Sequence, residues 1–416
     1  MGGGLINLVN DKPVHLVLAK DRVRSVKRGH PWIFPEVLRE LPRAPAGSLA
    51  LLKTADGDII AKGFYDPGSK LAFRALAVER DRLDDSLVSA RLGRAMELRA
   101  ALFAPYDATS GFRLVNGEGD GLPGLVVDVY AGAAVMKLDG AGAESFYNAD
   151  ALASWLMAQR PSLRTVFLKY RAGGGGGGAG GARGEERGRP LAGVAPKAGE
   201  PVRFVENGVN FQADIVQGQK TGFFLDQREN RAFIRQMSRG KRVLNVFGYT
   251  GGFSVYAGVG GAAHVTTVDV GRAALSYAEA NWELNGLPRG QHAAEAEDAF
   301  AFLERASKAK EKWDVVIIDP PSFAPNKASV PAAKASYTRL FAAAAAVTAP
   351  HGCLSLASCS SHIDSAMFME FCEEALGKAR RRGYVLRVAG QPPDHPFPAA
   401  AEELRYLKFV TYRLEG

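Results

Sequence analysis

Two short segments hold the residues best suited to chemistry, Asp319-Pro320-Pro321-Ser322-Phe323 and Ser358-Cys359-Ser360. Each follows an apolar run, Asp314 to Ile318 and Cys353 to Ala357, of the kind that forms a buried parallel strand. In open α/β sheets ligands sit beyond the carboxyl ends of the strands, so an acid, a stiff proline turn and a thiol would face one crevice. That set suits a thiolate adding to C6 of a cytosine. The addition makes C5 enamine-like, which it must be before it can take a methyl group. Cys359 is the expected nucleophile, because Cys353 lies at the start of its strand and Cys372 falls inside the next helix. Those two read as small core hydrophobes.

A second set of residues points to a nucleotide-like ligand. Val243 to Ala257 reads as a strand bearing Asn245, a turn of Gly248, Tyr249, Thr250, Gly251 and Gly252, and a helix start. Glycine lets a ligand approach the backbone, and a helix N-terminus favours a negative group. The order Gly-x-x-Gly-Gly differs from the Gly-x-Gly-x-x-Gly of a dinucleotide turn, which argues against pyrophosphate and against a nicotinamide oxidoreductase. Asp269 ends the next strand, where a carboxylate can accept both hydroxyls of a ribose. Asp298, at the end of a third, weaker strand, is placed to meet an adenine edge. One strand-end acid alone is ordinarily a helix cap. Four successive strand ends, closed by the glycine turn, Asp269, Asp298 and Asp319, fit S-adenosylmethionine, which offers a ribose, an adenine and a zwitterion but no phosphate.

The elements that must position these groups follow from periodicity. Strands are expected at Arg242 to Val246, Val265 to Asp269, His292 to Ala296, Asp314 to Ile318, Cys353 to Ala357, Tyr384 to Val388 and Leu407 to Leu414. Helices separate most of them, the signature of a mostly parallel, doubly wound sheet. Upstream, Leu87, Leu92, Met96 and Leu98 fall near helical spacing, with Arg91, Arg94 and Arg99 between them. Residues up to about Arg80 are β-rich, and there Lys20, Arg22, Arg24, Lys27 and Arg28 precede Trp32 and Phe34. Basic and aromatic side chains so combined suit RNA, although a solvated turn beside a core Trp fits equally well. Residues 172–200 include a run of glycines and read as a flexible insertion. Lys378 to Arg382 reads as a solvated helix end.

A length of 416 residues implies two or three domains, and a net charge of +8 favours an acidic partner such as nucleic acid. The three cysteines lack metal-ligand spacing and the even count of a disulfide framework, so reduced thiols, no metal and a reducing compartment are expected. The first residues do not read as a leader, and the apolar run Leu340 to Ala349 is too short for a membrane span. A soluble cytoplasmic protein is expected.

Taken with Arg28-Gly-His-Pro-Trp-Ile-Phe34, Arg113 to Gly124, Gly218 to Arg231, Tyr249 to Ser254 and Asp394-His-Pro396, these motifs resemble the PUA-domain-containing bacterial methyltransferases that make 5-methylcytidine in large-subunit ribosomal RNA. The resemblance implies a PUA-like RNA-binding domain at 1–80, a central α/β domain at 81–171 and a Rossmann-like class I methyltransferase domain at 201–416. It implies that Asp319 holds the N3/N4 edge of the base, that Pro320 and Pro321 stiffen that loop, and that Phe323 stacks on the flipped base. Lys220 and Phe224 would close over the cofactor, and Arg28 and Trp32 would touch RNA. A homodimer is compatible with it. Ser322 stands where another branch of RNA cytosine-C5 enzymes has a second cysteine, which leaves the base for the C5 proton unassigned. Two other classes fit part of the pattern. One is an exocyclic-amine methyltransferase with an inert Cys359, the other a non-catalytic RNA-binding or ribosome-assembly factor.

Overall fold

In the computed structural model, which describes residues 3–170 and 187–416, the β-rich amino-terminal segment folds as expected. Its strands are β1 (Val14–Val17), β2 (Trp32–Ile33), β3 (Ser48–Lys53), β4 (Ile59–Tyr65) and β5 (Phe73–Val78), in the order β1-β3-β4-β5-β2. A short helix, α1 (Val23–Lys27), separates the first two. Helix α2 (Asp85–Phe103) starts at Asp84, whose carboxylate accepts from the amides of Ser86 and Leu87. A second sheet follows, of β6 (Gly111–Asn116), β7 (Leu125–Tyr130), β8 (Ala133–Leu138), β9 (Thr165–Lys169) and β10 (Gly188–Gly193), in the order β10-β9-β8-β7-β6. Helices α3 (Ala141–Phe146) and α4 (Ala149–Gln159) carry the chain between the parallel strands β8 and β9.

Two expectations change here. Helix α2 buries Val88, Leu92, Ala95 and Arg99 and leaves Leu98 exposed, because a carboxylate awaits Arg99 inside. Residues 188–193, expected within a flexible insertion, pair antiparallel with β9. The glycine run itself lies outside the described residues.

Contacts divide the chain into two units. Met1–Val205, Ala213–Leu225 and Pro393–Glu402 form the first, and Glu206–Gln212, Asp226–Pro392 and Glu403–Gly416 the second. The chain passes between them through β11 (Val202–Glu206) and β12 (Val209–Ala213).

The second unit alternates strand and helix: α5 (Arg228–Met237), β13 (Arg242–Val246), α6 (Gly252–Val259), β14 (His264–Asp269), α7 (Arg272–Leu284), β15 (His292–Ala296), α8 (Ala299–Lys308), β16 (Trp313–Ile318), α9 (Val330–Val347), β17 (Thr348–Ser358), α10 (Ser365–Lys378), β18 (Gly383–Ala389) and β19 (Lys408–Leu414). The sheet order is β15-β14-β13-β16-β17-β19-β18. Strands β13 to β17 are parallel, and β19 runs antiparallel to both neighbours. Order reverses between β13 and β16, which opens a crevice at their carboxyl ends. Apolar side chains fill both faces, Leu244, Val316, Leu340 and Leu356 on one and Val243, Val315, Ile317 and Phe409 on the other. Strand β17 begins five residues earlier than expected, so Cys353 lies within it, opposite Val315.

Candidate active site

The turn after β13 is built around close packing. A Cβ on Gly248 would collide with the Thr267 side chain, and Gly251 has φ +77°, a conformation open to glycine. Beneath the turn runs a chain of polar contacts. Asn245 Nδ2 donates to Ser254 Oγ at 2.9 Å, Ser254 meets Thr267 Oγ1 at 2.6 Å, and Thr267 meets His292 Nε2 at 2.7 Å. His292 stacks on Trp282, and burial pushes its pKa down to about 4, so its ring is neutral.

Two buried atoms of this turn, Asn245 Oδ1 and Thr250 Oγ1, have no hydrogen-bond partner among the described residues. Buried polar atoms are rarely left so. Asp269 accepts from Tyr249 N at 2.9 Å through one oxygen and from Gly271 N at 2.8 Å through the other, which fixes its carboxylate beside the turn. Each oxygen keeps a second lone pair for a hydroxyl. Asp298 lies two residues beyond β15 and caps α8, one oxygen accepting from Phe300 N and Ala301 N.

On the other side of the reversal, Asp319 follows β16 directly. Gln227 Nε2 donates to its Oδ2 at 3.0 Å, and Asn230 Nδ2 donates to Gln227 Oε1 at 2.6 Å. Gln227, within the Gly218 to Arg231 motif, is buried and holds the acid. The turns after β16 and β17 are joined directly, Ser322 Oγ to Ser360 Oγ, at 2.7 Å. Tyr337 of α9 reaches the same place, its hydroxyl 3.0 Å from Ser358 Oγ and 3.2 Å from Ser360 Oγ. Cys359 is half-buried between those serines, whereas Cys353 and Cys372 are buried and burial raises both thiols. The Phe323 ring packs against Tyr337 with centroids 4.8 Å apart and stays partly exposed.

Residues 184–410 match the S-adenosylmethionine-dependent methyltransferase family, and residues 16–77 match a PUA-like domain. The chain belongs to the S-adenosylmethionine-dependent methyltransferases. This methyltransferase is 38% identical over 407 residues to the ribosomal RNA large subunit methyltransferase of Deinococcus radiodurans, a match spanning 97% of this chain and 98% of that protein. It is 35% identical over 410 residues to ribosomal RNA large subunit methyltransferase I of Aeromonas salmonicida, spanning 96% of this chain and 99% of that one. The crystal structure of SMU.776 complexed with SAH aligns with a TM-score of 0.83 over 96% of this chain and 100% of its own, at 23% identity, a likeness of fold.

The residues present fit S-adenosylmethionine as cofactor of the methyltransferase. Asn245 Oδ1 offers an acceptor for an ammonium, Thr250 Oγ1 a donor, and Asp269 two acceptors for a ribose. Four expected contacts lie in the first unit. Lys220 Nζ sits 4.4 Å from the centre of the Phe224 ring, Arg28 ends α1 with its side chain exposed, and Trp32 Nε1 donates to Glu118 Oε1 at 2.8 Å. Trp32 is therefore anchored at its polar end. Sequence reasoning missed Gln227 and Tyr337, which reach this site.

Proposed function

We propose that this methyltransferase forms 5-methylcytidine in large-subunit ribosomal RNA, in the cytoplasm, with Cys359 as covalent nucleophile. The hydrogen bond between Ser322 and Ser360 carries the reading, because it ties the turn of the acid to the turn of the thiol on adjacent parallel strands. The substrate class rests on the relatives, whose names specify large-subunit ribosomal RNA and whose lengths this chain matches nearly throughout. S-adenosylmethionine, when bound, supplies an electrophilic methyl group. Cys359 adds through its sulfur to C6 of the base, and electron density moves to C5. Asp319, oriented by Gln227, hydrogen-bonds the N3/N4 edge and supplies a proton to N3 as the thiolate attacks. Water takes the C5 proton, the C6–S bond breaks to release the thiolate, and the N3 proton returns to Asp319. A homodimer through β18, an edge strand exposing Tyr384, Val385, Leu386 and Val388, belongs to the same reading and is checked by sedimentation.

RNA carrying 5-fluorocytidine tests it, since fluorine replaces the proton that elimination must remove. A denaturation-resistant adduct is expected in the presence of S-adenosylmethionine, and Cys359→Ala should abolish adduct and turnover. Asp319→Ala should slow turnover by about 10²–10⁴. Full activity in Cys359→Ala, or a methylated exocyclic amine as product, would overturn the proposal, and binding of RNA without any methylation would favour a non-catalytic role.

A further inference from the structure

Lys408, the first residue of β19, is 4% exposed. Its Nζ donates to the carbonyl of Ser360 at 2.6 Å and to that of Tyr406 at 2.8 Å. In the antiparallel register Lys408 pairs with Ser358. The side chain thus spans Cys359, with its backbone opposite the preceding residue and its ammonium on the following one. A lysine has three N–H donors, and the third finds no acceptor among the described residues. No carboxylate there lies within ion-pair distance of it either, although a buried ammonium is normally paired. Burial draws its pKa down to about 8, and the fields of a Cys359 thiolate and of the Asp364 carboxylate act against that shift.

We propose that Lys408 is a positioning residue whose ammonium holds Cys359 as a thiolate before the base arrives. The inference rests on Cys359 as nucleophile and deepens it. The thiol gives its proton to water, and the lysine keeps its own. Other titratable groups around the pair do not supply a fixed cation. Tyr337 from α9 is a neutral hydroxyl, Asp364 caps α10 through Met367 N, Asp319 accepts from Gln227, and Tyr406 donates to Asp226. His362 lies exposed on the turn beyond Ser360.

The test is the rate of Cys359 alkylation by iodoacetamide against pH in the full-length enzyme, read on the Cys359 peptide by mass spectrometry. The wild-type midpoint should fall below about 8, against about 8.5 for an ordinary thiol. Lys408→Met should raise it by at least about one unit, while Lys408→Arg and His362→Ala should leave it near the wild-type value. A wild-type midpoint at or above about 8.5 overturns the proposal whether or not any variant folds. So does a Lys408→Met midpoint equal to wild type, or a shift of the midpoint in His362→Ala. The measurement needs no RNA and no turnover, so it is read separately from methylation surviving in Cys359→Ala, which would defeat the catalytic reading on which this one rests.

Discussion

Buried cations are held in two different ways in this chain. In the first unit, Arg99 grips Asp120 through both terminal nitrogens at 2.6 and 2.9 Å, and Arg74 meets both Glu118 and Asp139. At the β17–β19 edge of the second unit, Lys408 meets carbonyl oxygens alone. A fork-shaped, permanently charged group with a matched carboxylate is a fixture of the core. An ammonium held by carbonyl oxygens, with Asp364 acting on it only from beyond ion-pair distance, keeps much of its field available to whatever ionises beside it. Lys169 in the first unit makes the contrast sharper. It too is buried and drawn down to about 8, donating to the carbonyl of Gly218, but the charges acting on it are Asp214, Lys137 and Arg187.

The contrast can be broken at several points. Arg99→Met should be the most damaging, because it strands Asp120 in the interior; a loss of about 3–5 kcal/mol is expected in urea unfolding followed by circular dichroism. A loss below about 1 kcal/mol would mean that the pair is not structural.

Lys408→Met should behave differently. In the folded state this lysine gives up its proton near pH 8, and in the unfolded state near 10.5, so the unfolded chain binds more protons between those values and stability rises with pH there. On the order of 3 kcal/mol of that rise belongs to Lys408 and should vanish in Lys408→Met. Lys169→Met should remove a similar rise without moving the Cys359 alkylation midpoint.

Asp269→Ala should weaken S-adenosylmethionine binding by about 1.5–3 kcal/mol in calorimetry, since it removes ligand contacts and the anchor of the Tyr249 amide together. Unchanged affinity would take Asp269 out of the site.

His292 gives the smallest effect. Its folded pKa of about 4 lies below the usual 6.5, so its contribution is complete above pH 6.5 and is lost as pH falls through 4. His292→Phe should flatten the acid side of the stability profile by about 1–2 kcal/mol, less than the full shift because the ring is only partly buried.

What could be read beforehand follows from where the physical signal is local. Strands β13 to β16 ended within a residue of expectation, because each apolar run stops at a polar or turn-forming residue. Glycine order and strand-end acids likewise pointed to the cofactor. The face of α2 was misjudged because Arg99 is buried by a partner twenty-one residues away, which helical periodicity does not register. Arg381, expected in a solvated helix end, instead donates to the carbonyls of Ala345, Thr348, Ala349 and Glu415. Gln227 and Lys408 acquire their roles from strands far off in sequence, and neither residue type declares such a role alone.

The return of residues 393–402 to the first unit bears on how the chain is made. The backbone carbonyl of Asp394 accepts from Arg99 Nη2 at 2.6 Å, and its carboxylate accepts from Arg113 N at 3.0 Å. Asn116 Nδ2 donates to the carbonyl of Pro396 at 2.7 Å, and Gly119 packs against the same peptide. Chains leave the ribosome amino end first, and segments usually settle in that order. Here the earliest half of the polypeptide waits for nearly the last twentieth before its interior is closed. A nascent chain stalled at residue 392 should be cut by protease within the first unit where the finished chain resists, so that translation of the final stretch, rather than of the amino-terminal half, sets when that unit matures.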